Sequence, residues 1–240
     1  MEDVSRETWA DGEAPPVVGA TYPHALSGLL VLHRLLATDA VTRGLIGPRE
    51  VPRLWDRHIL NCAVVSELLG SDAEEAATLA DVGSGAGLPG LVLALIRPGL
   101  TVTLIEPLAR RATFLTEAVE TLGLSDRVSV LRARAEDVQG LTYRYVTARA
   151  VAPLDKLCGW ALPLVADGGQ FLAIKGLQAQ QEVEAIRASG RPMPPTRVVQ
   201  CGEGVVSPLT TVVVVDVAGS GVRAVPRSAS RRPNRGGRRD

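Results

Sequence analysis

The 240-residue sequence has little of several features that mark specialised classes of protein. Its three cysteines (Cys62, Cys158 and Cys201) form no C-x-x-C pair and are joined by only three histidines, which argues against a disulfide framework and a zinc site. Apolar runs such as Leu91–Ile96 and Val212–Val215 are far shorter than the roughly 18 residues of a membrane-spanning helix. The acidic start does not resemble a signal peptide. We therefore expect reduced thiols, no metal, no membrane association and a cytoplasmic location.

The net charge is zero, but the charge is unevenly distributed. Residues 223–240 contain seven arginines and one acid, a balance of +6, so the other 222 residues carry −6. The tail is rich in Ser, Arg, Gly and Pro, and the acidic beginning of the chain is rich in Pro and Gly, so both are expected to be disordered. The chain is thus predicted to consist of a disordered lead (1–19), an N-terminal helical region (20–75), a main domain (76–218) and an Arg-rich tail (219–240).

Apolar spacing predicts helices first and then alternating strands and helices. Leucines at helical spacing predict one helix over Tyr22–Leu36 and a second over Arg49–Leu69. The predicted strands are Thr78–Val82, Thr101–Ile105, Arg127–Leu131, Arg144–Ala148, Gln170–Ile174, Arg197–Gln200 and Thr210–Val217. The helices between them are Pro89–Ile96, Ala109–Leu122, Leu154–Val165 and Leu177–Ala188. This alternation predicts an α/β fold: a seven-stranded, mostly parallel sheet with helices on both faces and a reversed last strand, the class I (Rossmann-like) methyltransferase layout.

A glycine-rich turn follows the first predicted strand, in the run DVGSGAGLPG that begins at Asp81. Gly83, Gly85 and Gly87 would let the backbone approach a ligand closely, although a tight turn needs glycines too. Because Leu88 stands where the dinucleotide fingerprint G-x-G-x-x-G has its third glycine, the turn departs from that fingerprint. Asp81 could orient the loop or receive the amino group of a small ligand.

Two further acidic positions follow the next strands. Glu106 ends the second strand, where a carboxylate can accept two hydrogen bonds from a ribose diol; the alternative is a helix cap. After the third strand, Ala135 and Glu136 stand where methyltransferases commonly cover an adenine ring, although Glu136 could simply begin a short helix.

Several runs together resemble the RsmG (GidB) family of bacterial 16S ribosomal RNA guanine-N7 methyltransferases. They are LADVGSGAGLPGLVLALIRP, TLIEPLARRATFL, RAEDV, TARAVAPLDKLCGWALPLV and FLAIKG, with REVPRLWDRHILNCAVV upstream, and they cover roughly residues 40–217. The resemblance implies S-adenosylmethionine as cofactor and 16S rRNA, the small ribosomal subunit or its assembly intermediate as partner. It assigns Gly83 and Leu88 to the cofactor loop, Glu106 to the ribose, Ala135 and Glu136 to adenine, and Arg149 to the methyl-transfer end.

Methylation of guanine N7 is consistent with a sequence in which no general base is apparent. The sequence has neither the Asn/Asp-Pro-Pro-aromatic motif used on exocyclic amines nor a Pro-Cys pair for cytosine C5. N7 carries a lone pair and no proton, so positioning alone is expected to supply the rate, with Arg149 as the catalytic residue.

RNA contacts are expected from Arg53, Arg57 and His58 on the second helix and from Lys175 at a strand end, although the first three could equally form a solvated helix face. Three other functions stay open at this point. They are methylation of a small molecule by the same fold, NAD-dependent oxidoreduction, and RNA binding by a chain that has lost catalysis.

Overall fold

The central feature of the computed structural model is one seven-stranded sheet with strand order β3-β2-β1-β4-β5-β7-β6. The structure describes residues 13–149 and 152–219, so residues 1–12 of the expected lead and residues 220–240 of the expected tail lie outside it. β7 is antiparallel to both of its neighbours, and the pairings from β3 to β5 are parallel. The strands are β1 Ala77–Val82, β2 Leu100–Ile105, β3 Val128–Leu131, β4 Tyr143–Arg149, β5 Val165–Lys175, β6 Thr196–Cys201 and β7 Thr210–Asp216.

Helices cover both faces of the sheet, as predicted. The N-terminal helices pack with α6 and α7 on one face, and α8 and α9 pack on the other, because alternate strand residues such as Leu172 and Phe171 point to opposite sides. The α-helices are α1 Pro16–Thr21, α2 Leu26–Ala37, α3 Asp39–Thr42, α4 Asn61–Ala63, α5 Asp72–Glu75, α6 Gly90–Ile96, α7 Ala109–Thr121, α8 Leu154–Ala161 and α9 Ala179–Ala188. Short 3₁₀ helices lie at Pro48–Arg53, Val64–Leu68, Ala135–Asp137 and Leu162–Leu164, and a π-helix spans Leu54–Leu60.

Apart from small shifts at the ends of other helices, the structure differs from the predicted lead and helices in three places. α1 begins at Pro16 and buries Val18 completely, so the disordered lead predicted to residue 19 is wrong from Pro16 onward. Proline suits the first position of a helix because its missing N–H has no partner there. The helix predicted to Val165 changes to a 3₁₀ turn at Leu162, since the following Pro163 lacks the N–H that would continue the α-helical hydrogen bonds.

The helix predicted over Arg49–Leu69 is the third difference. It is divided into a 3₁₀ turn containing Pro52, the π-helix, the short α4 and a second 3₁₀ turn. Single π turns inside helices occur frequently at functional sites. Here the π-helix lies beside the carboxyl end of β4, where its backbone carbonyls contact Arg149.

Candidate functional site

The glycine-rich loop joins β1 to α6 at the carboxyl edge of the sheet. Gly85 and Gly87 have φ values of 57° and 87°, a left-handed conformation that glycine adopts without strain. A Cβ on Gly87 would lie 2.3 Å from Leu91 Cδ1, so a side chain is also excluded by close packing. The Gly83 amide donates to the Ile105 carbonyl at 2.9 Å, which ties the loop to the end of β2.

Asp81 is completely buried behind this loop. Its Oδ2 accepts a hydrogen bond from the Gly90 amide at 3.0 Å, while Oδ1 has no hydrogen-bond partner among the described residues. Burial raises the pKa of Asp81 to about 7, and nearby Arg149 opposes that shift. The contacts fit the predicted role of orienting the loop, and the side chain does not line the adjoining cavity.

Glu106 lies across from the loop at the end of β2 and is only 1% exposed. Its two oxygens accept hydrogen bonds from the Gly85 and Leu108 amides, each at 3.0 Å. The Arg111 guanidinium lies 3.9 Å from the carboxylate. The carboxylate is therefore fixed in orientation, and its remaining lone pairs can accept hydrogen bonds from a ligand.

Two cavities open along this edge of the sheet and share Gly83 and Pro107. The larger has a volume of about 530 Å³, within the usual range for small-molecule sites, and the smaller has about 150 Å³. The larger is lined by the glycine loop, Leu88, Glu106, Arg111, His58 and Arg149, together with Leu45 and Ile46 from the N-terminal region. The smaller is lined by Val82, Ile105, Arg134, Ala135, Glu136 and Trp160. Together they can hold a nucleoside with an attached polar chain.

Arg149, at the end of β4, makes four contacts with the N-terminal helices. Its Nη2 donates to the Arg57 carbonyl at 3.0 Å and to His58 Nδ1 at 2.9 Å. Its Nη1 lies 3.4 Å from the His58 carbonyl and 3.3 Å from Cys62 Sγ. No carboxylate forms an ion pair with the guanidinium among residues 13–149 and 152–219, so its positive charge is available to a ligand.

A groove of about 660 Å³ also borders Arg149. Arg149 and His58 border both this groove and the larger cavity, so the two spaces meet at these side chains. The groove is lined by Glu50, Pro52, Arg53, Asp56, Arg57, His58, Asn61, Arg149, Ser207 and Pro208. Arg53 and Arg57 are exposed there, as a contact with a polyanion requires.

Lys175 is placed differently from the prediction that it contacts RNA. Its side chain is only 9% exposed, its ammonium lies 2.9 Å from Glu182 Oε2, and it donates to the Ala152 carbonyl at 3.1 Å. Glu182 also accepts a hydrogen bond from the Leu154 amide, so Lys175 takes part in holding α9 against the beginning of α8. We therefore leave Lys175 out of the RNA interface.

Sequence reasoning missed several residues that border these spaces. Trp160 comes from α8, Leu45 and Ile46 from the segment after α3, and Ser207 and Pro208 from the β6–β7 loop. None of these elements is adjacent in sequence to the glycine loop. Only the packing of the chain brings them to the edge of the sheet.

The fold and the site allow comparison with known proteins. A family model described as GidB, rRNA small subunit methyltransferase G, matches residues 26–193. This chain belongs to the GidB family. A relative named ribosomal RNA small subunit methyltransferase G from Salinispora arenicola is 53% identical to this GidB member over 216 residues, covering 85% of this chain and 86% of the relative. The relative of the same name from Streptomyces coelicolor is 54% identical over 212 residues, covering 85% and 87%.

Solved structures are similar to this GidB member in fold. A putative S-adenosyl-L-methionine-dependent methyltransferase from Methanococcus maripaludis aligns with a TM-score of 0.54 at 10% identity, covering 77% of this chain and 92% of that one. A SAM-dependent methyltransferase from Aquifex aeolicus aligns with a TM-score of 0.50 at 21% identity, covering 72% and 100%. The predicted family and the predicted class I methyltransferase fold are confirmed.

The described residues contain neither a metal-binding cluster nor a membrane-spanning helix. No group of three or more His, Cys, Asp or Glu side chains is arranged to hold a metal ion among them. Within the same residues, none of the helices combines the length and the apolar character that crossing a bilayer requires.

Proposed function

We propose that this chain transfers the methyl group of S-adenosylmethionine to N7 of a guanine in the 16S rRNA of the small ribosomal subunit. The observation that carries the proposal is that a nucleoside-sized cavity and a groove bearing exposed arginines meet at Arg149 and His58. Such a junction would bring a cofactor in the cavity and a polyanionic substrate in the groove next to one another. Membership in the GidB family supports both the cofactor and the substrate.

The residues present fit the cofactor. Glu106 offers its free lone pairs to the ribose hydroxyls, and Ala135, Glu136 and Trp160 enclose a space for the adenine. The left-handed Gly85 and Gly87 leave room for close approach of the rest of the molecule. When bound, S-adenosylmethionine supplies an electrophilic methyl group on a sulfonium sulfur.

The chain supplies positioning rather than proton transfer. Guanine N7 has an available lone pair and carries no proton, so no general base is required. Arg149, which pairs with no carboxylate in the described part of the chain, stands where the two spaces meet and can fix the orientation of the reactants. Holding two reactants in near-attack geometry supplies much of the rate in reactions of this kind.

On the RNA side, Arg53 and Arg57 provide positive charge along the groove. N7 lies on the major-groove edge, which side chains cannot reach inside an A-form helix, so the target guanine is expected in a loop or opened region. The small subunit or an assembly intermediate is the proposed form of the substrate, and the cytoplasm, where ribosomes are assembled, is the proposed location.

Of the alternative functions, methylation of a small molecule keeps the cofactor cavity but gives no role to the exposed arginines of the groove. NAD-dependent oxidoreduction and RNA binding without catalysis both conflict with membership in a methyltransferase family. The groove therefore favours RNA methylation.

The deciding experiment is methyl transfer from labelled S-adenosylmethionine to small subunits from a strain that lacks this gene. Borohydride and aniline treatment then cleaves RNA at N7-methylguanine. We expect one new cleavage site in the 16S rRNA. Label without cleavage would show that another atom is methylated, and cofactor binding without label would favour a small-molecule substrate.

Trp160 offers a direct optical test of the adenine pocket. It is half-buried in the smaller cavity, whereas Trp55 is buried and stacked on His33 at a ring-centroid distance of 4.9 Å. We expect cofactor binding to change the fluorescence of the wild type and to change that of Trp160→Phe much less, although this variant should still bind in calorimetry. Trp160→Ala should weaken binding by about 5- to 150-fold, since stacking on a base contributes roughly 1–3 kcal/mol. An undiminished fluorescence change in Trp160→Phe would contradict this placement.

The Arg-rich tail lies outside the described residues, and its composition alone predicts a role in RNA affinity. Deleting residues 223–240 removes seven arginines and should leave cofactor affinity unchanged. The slope of log K against log salt for RNA binding should become shallower by up to about 5, because each neutralised phosphate of single-stranded RNA contributes roughly 0.7. An unaltered slope in salt titrations would show that the tail does not touch RNA.

A further inference from the structure

The side chains of Glu50, His58 and Arg149 form a hydrogen-bonded chain from the 3₁₀ turn Pro48–Arg53 to the end of β4. His58 Nε2 lies 3.0 Å from Glu50 Oε2, and His58 Nδ1 lies 2.9 Å from Arg149 Nη2. The guanidinium has no acceptor, so Nδ1 must accept the hydrogen bond from Arg149. The proton of a neutral imidazole is then on Nε2, from which it is donated to Glu50.

We propose that Glu50 and His58 are positioning residues that hold the Arg149 guanidinium where the cofactor cavity meets the groove, with His58 neutral and protonated on Nε2. The consequence for catalysis rests on the proposed methyl transfer, whereas the arrangement of protons does not. The hydrogen bond to Glu50 fixes the His58 tautomer, and this tautomer presents an unprotonated Nδ1 to Arg149. The π-helix carbonyls of Arg57 and His58 are the other hydrogen-bond acceptors that hold the guanidinium.

Protonation of His58 would break this arrangement. A proton on Nδ1 would place an N–H donor and a second positive charge 2.9 Å from the guanidinium nitrogen. Methyl transfer should therefore be lost as the pH falls through the pKa of His58. Burial is the main influence on that pKa and lowers it from the ordinary value, while the hydrogen bond to Glu50 opposes the change.

The charged and titratable groups around His58 come from several elements. Glu50 faces it from the 3₁₀ turn, Arg57 from the π-helix and Arg149 from β4. Cys62 contacts Arg149 from α4, and buried Asp81 lies near both. Asp81, with a pKa of about 7, also titrates in this range, so the test must separate its effect from that of His58.

Nitrogen NMR of the histidine side chains tests the tautomer without any assay of function. The His58→Asn variant lacks the His58 signals and so serves to assign them. We expect wild-type His58 at pH 7.5 to show a protonated Nε2 and an unprotonated Nδ1. A protonated Nδ1 would overturn the proposal even if the protein methylates RNA, whereas the expected tautomer in a protein without RNA methylation would contradict only the proposed function.

Paired variants test the consequence for catalysis in single-turnover transfer at saturating cofactor. Glu50→Gln keeps an acceptor for Nε2–H and should stay within about threefold of wild type, whereas Glu50→Ala should fall about tenfold. His58→Asn can still offer an oxygen to Arg149, so it should retain more activity than His58→Ala, which should lose about 100-fold. Equal loss in Glu50→Gln and Glu50→Ala would overturn the positioning role.

The pH profile supplies a readout that a merely structural role would not move. Loss of the Glu50 charge should shift the acid limb to lower pH in Glu50→Gln, and His58→Asn should lose the part of that limb that belongs to His58. Exposed His24, which contacts the Ile96 carbonyl and lines neither the groove nor the two cavities, provides the control, and His24→Asn should keep the wild-type profile. An acid limb that stays in place in both Glu50→Gln and His58→Asn would assign the titration to Asp81 and refute the proposed effect of His58 protonation.

Discussion

Replacing Glu106 by alanine should weaken the binding of S-adenosylmethionine by more than tenfold while the protein stays folded. The carboxylate is fixed by the Gly85 and Leu108 amides, so it meets the ribose hydroxyls without first being ordered. Hydrogen bonds to a charged group contribute roughly 1.5–3 kcal/mol each, and one such bond already corresponds to about a tenfold change in affinity. Titration calorimetry measures the dissociation constant directly.

The design of this experiment must separate a lost ligand contact from a disturbed loop. Glu106→Gln keeps one acceptor oxygen and should fall between wild type and Glu106→Ala. Glu120, exposed on α7, is a matched control, and Glu120→Ala should bind the cofactor as the wild type does. An unchanged dissociation constant for Glu106→Ala, with an unchanged melting temperature, would remove Glu106 from the cofactor site.

Replacement of Arg149 should have the largest effect on the transfer step. Arg149→Ala should slow single-turnover methylation at saturating cofactor by about 100- to 1000-fold, the range seen when a preorganised electrostatic contact is removed from an active site. Arg149→Lys should lose nearly as much. It keeps the charge but cannot reproduce the spread of contacts that the guanidinium makes with Arg57, His58 and Cys62.

Arg149→Ala also leaves two backbone carbonyls of the π-helix without this donor, so a stability effect is expected beside the catalytic one. Melting curves of Arg149→Ala and Arg149→Lys separate the two effects. Arg34, exposed on α2, provides the control, and Arg34→Ala should keep the wild-type rate. A rate within tenfold of wild type for a folded Arg149→Lys would show that the guanidinium is dispensable for the chemistry.

Local sequence patterns were sufficient to predict the sheet and the part of the site that the strand ends and the glycine-rich loop form. The parallel strands have alternating or continuous apolar patterns, and acids or glycines follow directly where β1 and β2 end, so Asp81, Gly83 and Glu106 could be placed at one edge. The carboxyl ends of parallel strands always meet at the same edge. Their proximity thus followed from the fold class alone.

The rest of the site depends on contacts between distant parts of the chain. His58 and Arg149 are separated by 91 residues, and Trp160 enters the smaller cavity from a helix on the opposite face to the N-terminal region. The π-helix does have a recognisable pattern in the sequence. Leu54 and Ile59, like Trp55 and Leu60, are buried and five residues apart, the spacing that i→i+5 hydrogen bonds favour, but regular helical periodicity explained these residues too.

The position of β7 has a consequence for synthesis and truncation of the chain. β7 is the last strand in sequence but lies between β5 and β6, and Thr210–Asp216 satisfies the backbone of both. Until these residues have been translated, β5 exposes an open edge of Val, Leu and Phe residues, and β6 has no strand to pair with. A stop codon before Thr210 should therefore yield an aggregating product, whereas one after residue 219 preserves every strand of the sheet.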